Sequence, residues 1–240
     1  MLTRASGQLS GLFLIIGPPE SGKSTTLSAM CAKIERAGRE TDQRFSSVMS
    51  VAPRNNSDTY AALIQGSNKA VLAIENLPKN TALLQEVPVL STGQLVVATV
   101  QTSNIPMAIA LLQAGERTSR LIAQTLCGIL VQRLVRLLCT GCKVPRTGTT
   151  PLEDGRQITS DYQQGCGCLQ CSYTGFVGRR LISQVMEVTE EIRTALASNA
   201  LASSLYTLGL GASPAMENEG RDLVQRGLTS REELQRVLGQ

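Results

Sequence analysis

Histidine is absent from the 240 residues, and so is tryptophan; the aromatic rings are those of three phenylalanines and four tyrosines. Without imidazole, proton transfer and metal binding near neutral pH fall to carboxylates, lysine and cysteine. So few rings leave little with which to build the stacking platforms that hold single-stranded nucleic acids. The formal net charge is only +4, too small a basic excess to predict a nucleic-acid partner. Long apolar runs are missing too. The most apolar long segment, Leu121 to Leu138, is interrupted by Gln124, Gln132, Arg133 and Arg136, too short and too charged for a transmembrane span. The opening Met1-Leu-Thr-Arg-Ala-Ser-Gly7 has no basic start followed by an apolar stretch, so no secretory leader is expected and the chain reads as cytoplasmic.

What is present is enough for a core: 42% of the residues are hydrophobic, with room for one sizeable domain and a smaller appendage. Gly11 to Ile16 is a nearly continuous apolar run, as expected of a strand buried on both faces. Ser24 to Ala37 reads as a helix, with Leu27, Met30, Cys31 and Ile34 at spacings of three and four. Further strands are expected over Ser47–Ala52, Ala70–Ile74 and Gln94–Val100. Helices are expected over Asp58–Gln65, Pro106–Ala114 and Ser119–Leu138. This alternation predicts a largely parallel sheet covered by helices. Residues 139–180 are rich in Gly, Thr and Cys, and from Leu181 the pattern reads as helical to the end, with Thr229 as N-cap and Glu232 completing a capping box. The division expected is therefore a nucleotide-binding core at 1–138, a cysteine lobe at 139–180 and a helical subdomain at 181–240.

The core assignment rests on "GPPESGKSTT", residues 17–26, which fits the phosphate-loop pattern G-x-x-x-x-G-K-[ST] between an expected strand and an expected helix. Glycines 17 and 22 let successive N–H groups turn inward, and the helix adds its positive end, which makes an anion cradle. Lys23 is placed to reach the β- and γ-phosphates and the Ser24 hydroxyl to join a Mg²⁺ shell. Gly17, Pro18, Pro19, Glu20, Ser21, Gly22, Lys23, Ser24 and Thr25 are the candidate nucleotide-binding residues, with ATP and Mg²⁺ as ligands. Glu20 is an odd choice for an anion site, tolerable where its carboxylate points outward while the backbone binds. Glu75, at the carboxyl end of an expected parallel strand, sits where ligands bind in open α/β sheets and is the candidate catalytic acid beside Lys23. Thr99, Gln101 and Thr102 on the neighbouring strand are candidates for reading the γ-phosphate.

Seven cysteines in a chain for which no export signal is expected read as metal ligands before disulfides. Cys139-Thr-Gly-Cys142 and Cys168-Leu-Gln-Cys171 are two C-x-x-C knuckles with 25 residues between them, the pattern of a closed structural Zn²⁺ site. Cys166 is close but has the poorer spacing, and Cys31 and Cys127 fall in apolar patterns and read as core.

In this order the segments resemble the assembly-type ATPases of type II secretion systems and type IV pili. "GLFLIIGPPESGKSTTL" carries the loop, and "VLAIENL" resembles the family's second acidic motif, with Glu75 as its glutamate. "STGQLVVATVQTSNI" resembles the family's paired-histidine segment. "LVQRLVRLLCTGCKVP" and "GCLQCSYTGFVGRRLISQVMEV" resemble its tetracysteine lobe, and "MENEGRDLVQRGLTSREELQRVL" its last helices. The cysteine pairs favour the assembly branch over the retraction branch. The resemblance covers the family's C-terminal domain and implies a RecA-like P-loop NTPase. Such a domain works in a homo-hexameric ring at the cytoplasmic face of the inner membrane, acting on a polytopic platform protein to drive pilin or pseudopilin assembly.

The departures are specific. Gln94 and Gln101 stand where the family has histidines, and glutamine takes no proton near pH 7. Ala52, Pro53 and Arg54 fall where an acidic box is expected, Glu20 replaces a loop glycine, and Leu77 and Pro78 follow the second acidic motif in place of arginine and aspartate. The resemblance thus implies an ATP-binding motor with weakened hydrolysis or, alternatively, a non-catalytic nucleotide-binding scaffold subunit of the same machinery.

Overall fold

The computed structural model describes residues 10–40, 48–51, 71–77, 87–114, 119–151, 157–209 and 216–239. The helix expected over Asp58–Gln65 and residues 52–54 lie outside them. The chain forms two compact units: residues 1–132 with 184–213, and residues 133–183 with 214–240.

The first unit is built on β1 (Gly11–Gly17), whose seven residues are all buried. Such burial follows from the continuous run "GLFLIIG", since a central parallel strand is covered on both faces. β1 pairs in parallel with β4 (Leu95–Gln101) on one side and β5 (Leu126–Leu138) on the other. β3 (Val71–Leu77) lies beyond β4, and β2 (Val48–Val51) beyond β3, both parallel. β8 (Phe176–Glu187) closes the order β2-β3-β4-β1-β5-β8. Helix α1 (Lys23–Glu40) lays Leu27, Met30, Cys31 and Ile34 against Phe13, Ile15, Val71, Ala73, Leu95, Val97 and Leu130. Fully burying each such aliphatic side chain contributes on the order of 1.5–3 kcal/mol. α2 (Ile105–Gln113) is capped by Asn104, whose Oδ1 accepts from the Met107 N–H at 2.9 Å. α3 (Ser119–Thr125) packs against α4 (Glu190–Ala197), and α2 against α5 (Ala202–Gly209).

Two expectations fail here. The helix expected over Ser119–Leu138 stops at Thr125, and Leu126–Leu138 is strand β5. Its apolar spacing mimics a helix, but Leu12–Ile16 offers an open ladder, with Leu12 opposite Leu126 and Ile16 opposite Val131, and Gly128 takes the Phe13 ring where a Cβ would crowd it. Cys127 accordingly lies half-buried on a strand rather than in a helix. Likewise the segment after Leu181 is still strand up to Glu187, with Ile182, Gln184 and Met186 buried and their neighbours less so. That is a period of two, and the helices begin only at Glu190.

The second unit holds an antiparallel hairpin, β6 (Lys143–Pro151) with β7 (Gln157–Gly165), the four cysteines, and helices α6 (Met216–Gln225) and α7 (Arg231–Leu238). The cap of α7 is Ser230, not Thr229: the Ser230 Oγ accepts from the Glu233 N–H at 3.2 Å. Thr229 is committed elsewhere, its Oγ1 donating to the Arg136 carbonyl at 2.7 Å. Glu233, fully buried, accepts from the guanidiniums of both Arg136 and Arg236 at 2.7 Å. Arg136 also stacks over the Phe176 ring, 4.1 Å from its centroid. Among the described residues no helix is long and apolar enough to cross a membrane.

Candidate functional site

At the carboxyl end of β1 the chain turns sharply, and the turn is held from inside by Lys23. Its ammonium donates to the Pro18 carbonyl at 2.6 Å, the Gly17 carbonyl at 3.1 Å and the Ser21 Oγ at 3.3 Å. Lys23 is buried, and burial lowers its proton affinity, as expected of an ammonium taken from water and given carbonyl oxygens instead. A Cβ on Gly17 would collide with the Gln132 carbonyl and the Ser21 Oγ, so only glycine fits there. Glu20 adopts a left-handed φ of 57° and is exposed, a conformation that suits glycine and strains other residues. Ser24 and Thr25 are exposed on the first turn of α1.

Glu75 lies half-buried near the end of β3, where the ladder with β4 shifts register between Ile74 and Leu77. The irregularity is pinned by Thr99: its Oγ1 accepts from the N–H of Asn76, itself at φ 53°, at 2.7 Å. Thr99 is fully buried, so its hydroxyl works first on the turn that carries Glu75. Gln101 pairs in register with Gly17 and is exposed, while the next residue, Thr102, is buried with an unpartnered Oγ1. Gln94 lies just before the opposite, amino end of β4, where its carbonyl accepts from the Gly11 N–H at 3.2 Å. The structure therefore groups Gly17, Pro18, Ser21 and Lys23 in one loop, with Gln101 beside it in the sheet, and Thr99 under the turn after Glu75. Gln94 is apart from them.

One residue of the loop's surroundings escaped sequence reasoning. Gln132 on β5 is fully buried and its Nε2 donates to the Ser21 carbonyl at 2.8 Å. A lone amide inside an apolar strand is the signal that could have found it.

The four cysteines Cys139, Cys142, Cys168 and Cys171 bring their sulfurs within 4.8 Å of one another. Cys139 and Cys168, Cys142 and Cys171, and Cys168 and Cys171 have Sγ atoms 3.8 Å apart. Tetrahedral bonds of about 2.3 Å separate sulfurs by about 3.8 Å, so the spacing fits Zn²⁺. Backbone N–H groups also point at the sulfurs at 3.2 Å: Gly167 at Cys142, and Cys168 and Gly175 at Cys171. Burial opposes charge on Cys171, yet the N–H groups of Cys168 and Gly175 prevail and bring its thiol down to about 6. Burial pushes Cys142 up to about 12, and its three cysteine neighbours add to the rise. A crowd of sulfurs that cannot all ionise together is the condition that a divalent ion relieves. Cys166 is exposed and outside the cluster.

The parallel sheet with a glycine-bounded loop between β1 and α1 is a fold that solved ATPases share. The chain superposes on the ATPase DotB of Legionella pneumophila with a TM-score of 0.65 at 15% identity, covering 98% of this chain and 61% of that one. The pilus retraction motor PilT with bound ADP gives 0.65 at 17% identity, over 97% of this chain and 62% of the other. Residues 81–236 match the family described as Type II/IV secretion system protein, and the chain belongs to that family. It is 31% identical to type II secretion system protein E of Aeromonas hydrophila, over 95% of this chain and 48% of that protein. Against the type IV pilus assembly ATPase PilB of Thermus thermophilus it is 28% identical over 93% of this chain and 27% of the other. The chain thus spans half or less of these relatives.

Proposed function

We propose that this chain is an ATP-binding motor domain that powers pilin or pseudopilin assembly in a type II secretion or type IV pilus system. The observation that carries this reading is Lys23, whose ammonium lies inside the loop on the carbonyls of Gly17 and Pro18, at the start of an 18-residue helix. The names of its relatives support it. Bound Mg-ATP would supply the phosphoryl group. The backbone of Gly17 to Ser24 would hold its phosphates, and the Ser24 hydroxyl its Mg²⁺. Glu75 would orient the attacking water, with Thr99 and Gln101 reading the γ-phosphate. Zn²⁺ on Cys139, Cys142, Cys168 and Cys171 would tie the knuckles together. In the assembled machine the domain would stand in a hexamer, peripheral to the inner membrane, against a platform protein.

Gln94 and Gln101, in place of histidines, favour a second reading, a nucleotide-binding scaffold without turnover. Both readings meet in one experiment: Mg-ATP hydrolysis and nucleotide titration of the unaltered chain, Lys23→Ala and Glu75→Gln. Turnover lost in both variants, with binding surviving in Glu75→Gln, is the result expected of the motor. Lys23-dependent binding with no turnover, repeated in the full assembly, points to the scaffold. Absence of nucleotide binding in the unaltered chain removes both.

A further inference from the structure

We propose that Gln132 is a positioning residue for nucleotide phosphates, acting by fixing one peptide of the phosphate loop; this rests on the reading of Gly17 to Ser24 as a nucleotide site. Two independent contacts place it. Its Nε2 donates to the Ser21 carbonyl at 2.8 Å, and its own carbonyl sits so close to Gly17 that a Cβ there would strike it. Register explains how one residue does both: Ile16 pairs with Val131, so Gln132 stands beside the point where β1 becomes the loop. One residue of β5 thus meets both the entry of the loop and its far side.

The peptide unit is planar, and no described residue has a cis bond, so the Ser21 carbonyl and the Gly22 N–H point in opposite directions. A cradle of N–H groups receives an anion only if its carbonyls are turned away. The carbonyls of Gly17 and Pro18 face the Lys23 ammonium, whereas that of Ser21 is held by Gln132, which presents the Gly22 N–H on the other side. Stability alone does not favour the amide. Its Oε1 is buried with no hydrogen-bond partner, a penalty that a leucine or methionine of similar size avoids. What the amide contributes is the bond it makes to the loop.

The test is titration of the full chain with Mg-ADP, alongside thermal melting, for the unaltered protein, Lys23→Ala, Gln132→Met and Gln132→Asn. Methionine fills the space without a donor; asparagine keeps the amide but is one methylene too short to reach, and it covers the case in which methionine fails to fold. The expected result is binding about tenfold weaker in either variant, the effect of losing one orienting hydrogen bond, with the melting temperature lowered by no more than a few degrees, the cost of leaving the buried Ser21 carbonyl without its partner. Unchanged affinity in a folded variant overturns the proposal, as does a loss of binding seen only in a variant that is no longer folded at the titration temperature, which would make Gln132 a packing residue only. If the unaltered chain binds Mg-ADP through Lys23 while Gln132→Met binds equally well, only this inference fails. If the unaltered chain does not bind, the nucleotide reading fails with it.

Discussion

Replacing Glu233 by glutamine removes one charge and keeps the shape, and it tests what holds the second unit together. The carboxylate is fully buried and accepts from Arg136 through its backbone N at 3.0 Å, Nε at 3.0 Å and Nη2 at 2.7 Å. Arg236 adds Nε at 2.8 Å and Nη2 at 2.7 Å. Burial alone would raise its proton affinity, but the guanidiniums of Arg236 and Arg136 outweigh burial and bring it from 4.5 to about 2. At about 1.4 kcal/mol per tenfold change in proton affinity, that drop is worth about 3 kcal/mol. The side chains of Arg136 and Arg236 are 41% and 59% exposed, so solvent screening reduces the figure to about 2 kcal/mol. The folded value lies below the unfolded one, so this stabilisation is complete above about pH 4.5 and is lost as pH falls from there towards 2. Urea unfolding at pH 7 should show Glu233→Gln less stable by about 2–3 kcal/mol, the amide NH₂ now facing two guanidiniums. At pH 3 the gap between variant and unaltered protein should narrow. A gap that is the same at both pH values would refute the electrostatic argument. A gap below about 0.5 kcal/mol at pH 7 would make the network no more than a surface pair.

The remaining predictions concern the cysteine cluster. Elemental analysis should find one zinc per chain, and a strong chelator should lower the melting transition by on the order of 10 °C, because such sites contribute folding energy directly; a metal-free protein with an unaltered transition contradicts the assignment. Gly165→Ala should loosen the same cluster from a distance, since a Cβ there falls on the carbonyl of Gly175, whose oxygen accepts from the Cys139 N–H at 2.9 Å. A loss of about 1–3 kcal/mol with faster release of zinc to a colorimetric chelator is expected, and full zinc retention at unchanged stability counts against it.

Much of this was legible from local patterns. The run Gly11–Ile16 was legible because six apolar residues closed by Gly17-Pro18 are too short for a helix and suit a strand covered on both faces, and the loop and α1 follow it directly. The cysteine pairs were legible because two C-x-x-C spacings are those a tetrahedral metal site uses, and their four sulfurs do converge. β5 was not. Its later buried positions, Gln132, Val135 and Leu138, recur every three residues, which imitates a helix, and the ladder that makes it a strand comes from residues more than a hundred positions earlier. In β8 the expected alternation is disguised because a polar residue, Gln184, is buried while Val185 is only partly so. The cap of α7 was ambiguous by one residue, since Thr229 and Ser230 each have a glutamate three positions on; a contact with Arg136, invisible locally, took Thr229 out of the competition.

The same reasoning explains why "QRLVRLLC", residues 132–139, was recognisable as a motif but not interpretable as one. Three of its polar or sulfur-bearing residues have partners far away in sequence. Gln132 holds Ser21, 111 residues away; Arg136 holds Glu233, 97 residues away; Cys139 faces Cys168, 29 residues away. Between these anchors Val135 and Leu138 are buried in the ordinary apolar way. A window of local sequence sees an apolar stretch with two arginines and a glutamine, and the moderate choice is an amphipathic helix. In three dimensions a strand exposes backbone and side chains on alternate sides at 3.3 Å per residue, so eight residues can deliver three specific groups to three separate destinations. A helix of the same length would be less than half as long. The specificity of the segment is therefore a consequence of its being extended, and its residue identities are set by partners that only the fold reveals.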